Sequence, residues 1–432
     1  MMYDNLSVNA QGHLTFAGRD TLELVQAWGT PLLVMDENRI RNRCRVYRQA
    51  MADYLPAGSR PLYASKAMSV KRIYEIMRQE GMGVDVVSVG ELYTAAQAGF
   101  PMENVYFHGS SKTDEDIRFA IENGVGVFVC DSADELEVID REAARQGICQ
   151  RVLLRLAPGI DPHTHQKINT GRVDSKFGAA IATGQAEALA ARALQKSHIA
   201  LEGYHCHVGS QLFDEELFCD SATAMLTFAA EMAETYGFAA KTINLGGGLG
   251  VPYTAADPTV DYAETIRRLG LHIDELCRSL GIAPPAILLE PGRSIVADGG
   301  MTLYTVNGTK EIPGFKSYVN IDGGMTDNPR YTLYQSAYTI YNAGRMNEEK
   351  DFVGTVAGRC CESGDLIQEN VAMPRPVRGD VLAVLTTGAY NYSMASNYNR
   401  ILRPAVVMIG TDGQPYPIVR RERLADLLAC DL

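Results

Sequence analysis

Eight short runs of β-prone residues, each followed by a turn and a helical pattern, dominate the first two thirds of this sequence. Strands that alternate with helices imply parallel pairing through βαβ crossovers. Eight such units over roughly 250 residues match the count and size of a (β/α)8 TIM barrel. An open doubly wound sheet also alternates, but eight units without an obvious reversal of strand order favour a closed barrel. The runs lie at 61–65, 83–88, 104–109, 125–130, 151–157, 201–208, 242–246 and 286–290.

After Arg293 the sequence changes to short strand-like runs separated by Gly, Pro and Asp turns, which predicts an all-β sandwich or barrel domain. These runs lie at 301–311, 316–322, 352–356, 381–385, 405–409 and 416–420. Two earlier strand-like pieces, 13–16 and 31–35, could join the same sheet, and the sequence leaves this open. We therefore predict a barrel domain over 38–292, and a β domain made of 1–37 and 293–432.

Charge and cysteine content limit the class of protein. A net charge of -12 over 432 residues argues against a nucleic-acid partner, because proteins that bind a phosphate backbone usually present a basic face. No run of about 18 consecutive apolar residues occurs, so we expect no membrane span. The nine cysteines are scattered without a C-x-x-C pair, which fits a reducing compartment. Since no signal peptide is recognisable at the start, we expect a cytoplasmic protein.

Polar residues are frequent at the ends of the predicted barrel strands, where the reactive groups of such barrels collect. They are Lys66, Asp85, Ser88, His108, Asp131, Arg155, His207, Gly246–Gly248 and Glu290. Lys66 ends an extended, mostly uncharged run that begins at Pro61. A lysine at a strand end is more often simply solvated, but burial would lower its pKa toward the range needed to form an imine.

The glycine loop Gly246–Gly250 follows the seventh predicted strand. Consecutive glycines let backbone N–H groups approach an anion closely, and the loops after strands 7 and 8 are the usual phosphate site of a barrel. The alternative is a tight turn without a ligand, but the placement favours a phosphate. Ser210 could add a hydroxyl to the same anion.

Glu290 is the last residue of the eighth run. A buried carboxylate at this position needs a cationic partner. A protonated pyridine nitrogen would be such a partner, and its charge makes the ring a stronger electron sink. His207 could lie flat on that ring. His205 and His207 flank Cys206, but adjacent strand residues face opposite ways, so we expect no metal site.

Together, an amine, a phosphate site and a carboxylate for a pyridinium are three separate demands of pyridoxal phosphate. Lys66, the glycine loop and Glu290 offer all three at strand ends, so the sequence predicts this cofactor. Arg293 and Arg330 are interpreted as ligands of a substrate carboxylate, because a guanidinium fork binds a carboxylate bidentately.

Seven motifs, in order along nearly the whole chain, resemble the pyridoxal-phosphate decarboxylases that combine a barrel with a β domain. Within that family they resemble the group that acts on diaminopimelate. The motifs are YASKA (63–67), HCHVGSQ (205–211), GGGLG (246–250), EPGRS (290–294), MTDNPR (325–330), CESGD (361–365) and GAY (388–390). Met68, where the family usually has Asn, and Ser110 and Ser111, where Asn is common, depart from the pattern and concern substrate positioning rather than reaction class.

The resemblance implies a role for each matched residue. Lys66 would hold the cofactor as an imine, Glu290 would pair with the pyridine nitrogen, and His207 would stack on the ring. The phosphate would contact Ser210, Gly246, Gly247, Gly248, Gly292 and Tyr390. The substrate would contact Arg293, Arg330, Tyr334, Glu362 and Tyr390. Cys361 would be the proton donor, and Cys361 and Glu362 would come from the second subunit of a homodimer. We also assign Asp85, Arg155 and Arg293 to the cofactor site.

We therefore expect α-decarboxylation of meso-2,6-diaminopimelate to L-lysine and carbon dioxide. The alternative is a related decarboxylase for ornithine, arginine or carboxynorspermidine, but a diamine would require acidic residues where Arg293 and Arg330 stand. An amino-acid racemase, which needs a second base, and a non-catalytic cofactor carrier are further alternatives. The irregular stretch Pro158–Phe177 follows the fifth strand and is long enough to be functional.

Overall fold

The computed structural model describes residues 2–160 and 175–432, which form two compact units. The barrel unit comprises Arg43–Gly250 and Thr259–Gly292, and the β unit comprises Met1–Asn42, Val251–Pro258 and Arg293–Leu432. Part of the predicted functional stretch, residues 161–174, lies outside the described residues, and the predicted boundaries of the two domains stay a prediction. Among the described residues, we find no helix that has both the length and the apolar character needed to cross a membrane.

Four strands and one helix come from the amino-terminal segment. They are β1 Leu6–Val8, β2 Leu14–Phe16, β3 Arg19–Asp20, α1 Thr21–Trp28 and β4 Leu32–Asp36. Strands β1 to β3 form a small antiparallel sheet of their own, whereas β4 joins the large sheet of the β unit. Of the two early strand-like pieces, only 31–35 therefore belongs to the large sheet.

The described residues of the barrel unit form nine strands: β5 Arg60–Ala64, β6 Gly83–Val86, β7 Val105–Phe107, β8 Val127–Cys130, β9 Gln150–Ala157, β10 Ala179–Ala180, β11 Ile199–His205, β12 Thr242–Asn244 and β13 Ala286–Leu289. All pairings are parallel, and β10 adds only a short strand to β9. The other eight close into a barrel because β13 pairs with β5 and β8 pairs with β9. The predicted barrel is confirmed, and the open-sheet alternative is wrong.

Side chains from five of these strands form a buried apolar cluster, which contains Leu62, Tyr106, Val127, Val129, Leu153 and Leu288. A parallel barrel is covered on both faces, which is why its strands are nearly continuous apolar runs in the sequence. Gly203 lies where the pairing of β11 with β9 shifts register. A Cβ at Gly203 would lie 1.8 Å from the carbonyl oxygen of Thr242, so this bulge requires glycine.

In the described part of the chain, eight α-helices precede or connect the barrel strands: α2 Glu37–Tyr54, α3 Lys71–Gln79, α4 Val89–Gln97, α5 Asp114–Glu122, α6 Ala133–Gln146, α7 Gln185–Leu194, α8 Glu216–Tyr236 and α9 Tyr262–Leu280. Polar residues after the strands begin several of them. Ser88 and Ser132 accept hydrogen bonds from the first turns of α4 and α6, and Asp261 does so for α9. Polar turn residues therefore cap these three helices.

The remaining elements belong to the β unit: α10 Arg293–Val296, β14 Gly300–Ile312, β15 Lys316–Ile321, α11 Arg330–Tyr334, β16 Ile340–Asn342, β17 Phe352–Ala357, β18 Leu366–Met373, β19 Val381–Leu385, β20 Ala405–Ile409 and β21 Pro415–Val419. The sheet runs β18-β17-β15-β14-β4-β20-β21, with β19 and β16 attached at β14. Successive residues of β14 contribute to two separate apolar clusters: Leu303 lies in the first cluster and Tyr304 lies in the second. This alternation covers both faces and confirms the predicted all-β domain.

Candidate active site

Lys66 lies in a 3-10 turn, Ser65–Ala67, directly after β5. The turn is fixed because Ser65 Oγ donates a 2.9 Å hydrogen bond to Glu91, which also accepts the N–H of Val87 at 2.8 Å. Burial lowers the pKa of His207 well below its usual range and the charge of Lys66 adds to this, whereas at Asp85 the charge of Lys66 opposes the rise in pKa that burial causes. The predicted lysine is therefore at the carboxyl end of the barrel, among other polar strand ends.

Glu290 follows β13 and is buried. Its Oε1 accepts a 2.6 Å hydrogen bond from Asn244 and lies 3.0 Å from Nε2 of His108. Its Oε2 lies 3.5 Å from Nε2 of His205. Burial raises the pKa of Glu290, but the two imidazoles outweigh burial and hold that pKa well below its usual range. An ionised carboxylate at this place can pair with a cation.

His108, for which the sequence predicted no role, is the third member of this cluster. Its Nε2 also lies 3.7 Å from Asp85 Oδ1, and its ring meets that of His205 edge-on, with the centroids 4.7 Å apart. Burial lowers the pKa of His205 to about 3. Within the described residues, Nε2 of His108 and both ring nitrogens of His205 are buried without a recorded hydrogen-bond partner. The only sequence signal for His108 was its position after a barrel strand.

His108, His205 and Glu290 could also hold a metal ion, since their ligand atoms lie within 4.8 Å of one another. Two imidazoles and one carboxylate are typical ligands of catalytic zinc. We expected no metal site because His205 and His207 face opposite ways along one strand. In the structure, His108 from another strand joins His205 instead. The geometry therefore provides a site for a cation, which either a metal ion or a pyridinium could fill.

Asp85, at the end of β6, lies beside this cluster. Burial raises its pKa to about 6, Glu290 adds to the shift, and His108 and Lys66 oppose it. Arg155 on β9 has a different partner: its Nε lies 3.8 Å from Asp131 Oδ1 and its Cζ lies 4.2 Å from the ring centroid of Phe177. Asp85 therefore belongs to the cluster of His108, His205 and Glu290. The charge of Arg155 is opposed instead by Asp131, which is also buried.

The glycine loop after β12 makes very close backbone contacts. A Cβ at Gly247 would lie 1.9 Å from the carbonyl oxygen of Glu290, and a Cβ at Gly248 would lie 2.4 Å from that of Gly209. Gly246 and Gly248 also adopt positive φ values of 71° and 130°. Chain packing alone thus requires these glycines, so a phosphate is compatible with the loop but is not needed to explain it.

Gly292 packs in the same way against the strand that leads to Lys66. A Cβ at Gly292 would lie 3.0 Å from both Cβ and the carbonyl oxygen of Ala64. The N–H of Ala64 donates a 3.1 Å hydrogen bond to the carbonyl oxygen of Pro291. The segment after Glu290 therefore lies against the end of β5.

Ser210, predicted to contact the phosphate, is half-buried and lies five residues beyond the end of β11.

The β unit contains a second cluster, in which aromatic rings surround Arg293 and Arg330, both buried. Nη1 of Arg293 donates a 2.7 Å hydrogen bond to Tyr253 Oη, and its Cζ lies 4.7 Å from the ring centroid of Tyr390. Cζ of Arg330 lies 5.5 Å from the centroids of Tyr253 and Tyr334. No carboxylate of the described chain is recorded in an ion pair with Arg330. Two buried guanidinium groups close to the same aromatic rings can bind an anion such as a carboxylate.

Cys361 and Glu362 lie in the turn after β17 and are both exposed. The N–H of Cys361 donates a 2.8 Å hydrogen bond to Asn399 Oδ1, and the hydroxyl of Tyr398 donates to Glu362. The loop 397–400 thus holds this predicted pair at the surface of the chain.

Known proteins resemble the chain over almost its whole length. The family model "Pyridoxal-dependent decarboxylase, pyridoxal binding domain" matches residues 37–297. A diaminopimelate decarboxylase of Bacillus subtilis is 43% identical over 98% of this chain and 96% of that protein, and one of Staphylococcus aureus is 42% identical over 98% of each. The crystal structure of diaminopimelate decarboxylase from M. jannaschii in co-complex with L-lysine has a TM-score of 0.90 at 35% identity, covering 99% of this chain and 98% of that one.

Proposed function

Because the chain belongs to the pyridoxal-dependent decarboxylases, we propose that it converts meso-2,6-diaminopimelate to L-lysine and carbon dioxide. Curated relatives named diaminopimelate decarboxylase share 36% to 43% identity with it over nearly its full length. The protein is a carboxy-lyase of lysine biosynthesis, and pyridoxal phosphate is its cofactor.

The polar groups at the end of the barrel fit this cofactor. Asp85 Oδ1 and the ring nitrogens of His205 are buried and, in the described part of the chain, have no recorded hydrogen-bond partner, as expected where a polar ligand binds. Lys66 would supply the amine that holds the cofactor covalently, and the backbone of Gly246–Gly248, together with Ser210, would hold its phosphate. When bound, pyridoxal phosphate would supply the electron sink that decarboxylation requires.

Glu290 keeps the pyridine nitrogen protonated. Its carboxyl group is buried and ionised, since the imidazoles of His108 and His205 outweigh the effect of burial on its pKa. An ionised acid shielded from water interacts strongly with a neighbouring cation. His207 would stack on the ring, Asp85 and Arg155 would complete the cofactor site, and Gly292, Arg293 and Tyr390 would contact the phosphate end.

The substrate assignment depends on one observation, the pair of buried guanidinium groups of Arg293 and Arg330. Diaminopimelate retains a carboxylate far from the reacting carbon, and this group would pair with the two guanidinium groups. A diamine product of ornithine or lysine decarboxylation has no such group and would gain no ion pair from these two cations. Tyr334 and Glu362 contact the distal end of the substrate together with these arginines.

Cys361 Sγ–H delivers a proton to the α-carbon after the carboxylate has left, as a general acid. In one chain Cys361 is exposed to solvent, whereas a general acid acts within hydrogen-bond reach of an enclosed substrate. We therefore place Cys361 and Glu362 in the active site of a partner subunit, which makes the enzyme a homodimer. All nine cysteines are free, in keeping with the cytoplasmic location that we propose.

The test is a substrate panel with the purified holoenzyme. Carbon dioxide release is measured from meso-diaminopimelate, L-lysine, ornithine and arginine at equal concentrations. Release from diaminopimelate should exceed that from each of the others by at least about a hundredfold, since a missing charged contact costs a few kcal/mol. Comparable rates with ornithine would overturn the proposal.

A further inference from the structure

Tyr253 lies at the centre of the arginine cluster, although in sequence it follows the glycine loop of the barrel. The segment Val251–Pro258 belongs to the β unit, and hydrogen bonds fix its backbone there. The N–H of Tyr253 donates to Asp257 at 2.7 Å, and Thr339 Oγ1 donates to the carbonyl oxygen of Tyr253 at 2.9 Å. The ring packs edge-on against Tyr338, with the centroids 5.5 Å apart. Tyr253 is therefore held in one position.

Tyr253 contacts both arginines through different parts of its side chain. Its hydroxyl accepts the 2.7 Å hydrogen bond from Nη1 of Arg293. Its ring centroid lies 5.8 Å from Cζ of Arg293 and 5.5 Å from Cζ of Arg330. A guanidinium is planar, so a hydrogen bond to one of its nitrogens fixes the direction of the remaining donors.

The pKa of Tyr253 also reflects its contact with both arginines. Burial raises its pKa, but the positive charges of Arg293 and Arg330 and the hydrogen bond from Arg293 outweigh burial and lower the pKa below 10. Asp298 acts in the opposite direction. A phenol oxygen that is a good acceptor reduces the repulsion between two cations held in the same cluster.

We infer that Tyr253 is a positioning residue that orients Arg293 and separates it from Arg330, so that the two guanidinium groups bind the distal carboxylate of the substrate together. This inference rests on the proposed function, because it requires a ligand with such a carboxylate. Tyr253 acts through the arginines and does not contact the reacting carbon. Its effect should therefore depend on whether the ligand carries that carboxylate.

A comparison of two ligands distinguishes this positioning role from a general effect on the structure. L-Lysine retains the distal carboxylate, whereas 1,5-diaminopentane has the same two amines and no carboxylate. In the Tyr253→Phe holoenzyme, L-lysine should bind about tenfold more weakly, and KM for meso-diaminopimelate should rise by a similar factor while kcat changes less. Binding of 1,5-diaminopentane should not change. Both affinities are measured from the absorbance of the bound cofactor, with Tyr341→Phe in the same unit as the control.

A double-mutant cycle checks that Tyr253 acts through Arg293. Arg293→Lys alone should weaken the binding of L-lysine more than that of 1,5-diaminopentane, and Tyr253→Phe should then add little to the loss for L-lysine. Unchanged L-lysine binding in Tyr253→Phe, equal weakening of both ligands, or full additivity in the cycle would each overturn the inference. A wild-type enzyme that releases no carbon dioxide from meso-diaminopimelate would instead refute the proposed function, whatever the Tyr253 variants do.

Discussion

Nε2 of His108 lies 3.0 Å from Oε1 of Glu290, which joins the end of β7 to the end of β13. Two other strands, β5 and β6, separate these two in the barrel. Because the carboxyl ends of parallel strands converge at one end of a barrel, residues from non-adjacent strands can still meet there. His108 therefore helps to keep Glu290 ionised and should influence how the barrel holds its cofactor.

Replacing His108 by Gln should weaken cofactor binding and change its pH dependence. Without the imidazole the pKa of Glu290 rises, so the carboxyl group protonates at a higher pH and the acid limb of the binding curve moves toward neutral pH. We expect roughly tenfold weaker binding at pH 7, since one charge-assisted contact is lost. The measurement is a titration of the cofactor-free protein with pyridoxal phosphate between pH 5 and 8.

His198→Gln is the matched control for this experiment. His198 lies in the same unit, 3.8 Å from Asp140, with a side chain that is 41% exposed. It should leave the binding curve unchanged. An unaltered curve for His108→Gln as well would show that Glu290 does not depend on its neighbour.

Lys66→Ala should abolish both turnover and the absorbance of the covalently bound cofactor, because it removes the amine that we propose forms the imine. Lys66→Arg should behave alike, since it restores the charge but not the nucleophile. Absorbance spectra and carbon dioxide release are measured on the same preparations. Lys71→Ala, at an exposed position five residues later, should retain both. Turnover with an unchanged spectrum in Lys66→Ala would end the assignment of Lys66.

Asp327 in the β unit should make the stability of the protein dependent on pH. Burial raises its pKa to about 7, although the hydroxyl of Tyr304 donates to it and lowers the pKa in part. A carboxyl group whose pKa is higher in the folded state stabilises that state fully below its unfolded pKa, near 3.8. This contribution is lost as the pH rises through about 7.

Asp327→Asn, which cannot ionise, should remove that dependence. The free energy of unfolding of the wild type minus that of the variant should fall by on the order of a few kcal/mol between pH 4 and 8. Urea unfolding at a series of pH values measures it, with the exposed Asp412→Asn as the control. Parallel curves for the wild type and Asp327→Asn would contradict this prediction.

Mixed dimers test whether two subunits share each active site. If Cys361 serves the partner's Lys66, co-expression of Lys66→Ala with Cys361→Ala should restore about a quarter of the wild-type activity, since half of the dimers contain one intact site of two. Each variant alone should be inactive or nearly so.

The control is co-expression of Lys66→Ala with Glu290→Gln. Both changes lie in the barrel unit, so every site in a mixed dimer carries one of them and no activity should return. Equal activity in the two mixtures would show that complementation does not report a shared site.

Local patterns were enough to find the barrel. Each strand is buried on both faces and bounded by polar turns, so its sequence contrasts with its surroundings whatever the tertiary contacts are. Short edge elements were harder to recognise. Strands β16 and β18 and the five-residue helix α11 were not predicted, because β16 and α11 are brief and β18 mixes exposed and buried residues along its length.

The sequence by itself determined the two kinds of domain and the cofactor, because strand periodicity, loop glycines and a strand-end lysine leave local traces, and the resemblance of seven motifs indicated the family. Only the tertiary structure decided that β4 lies between β14 and β20, that His108 meets Glu290, and that Tyr253 meets both arginines. These relationships join segments far apart in the chain. No local pattern records them, since distant residues become neighbours only when the sheet and the barrel close.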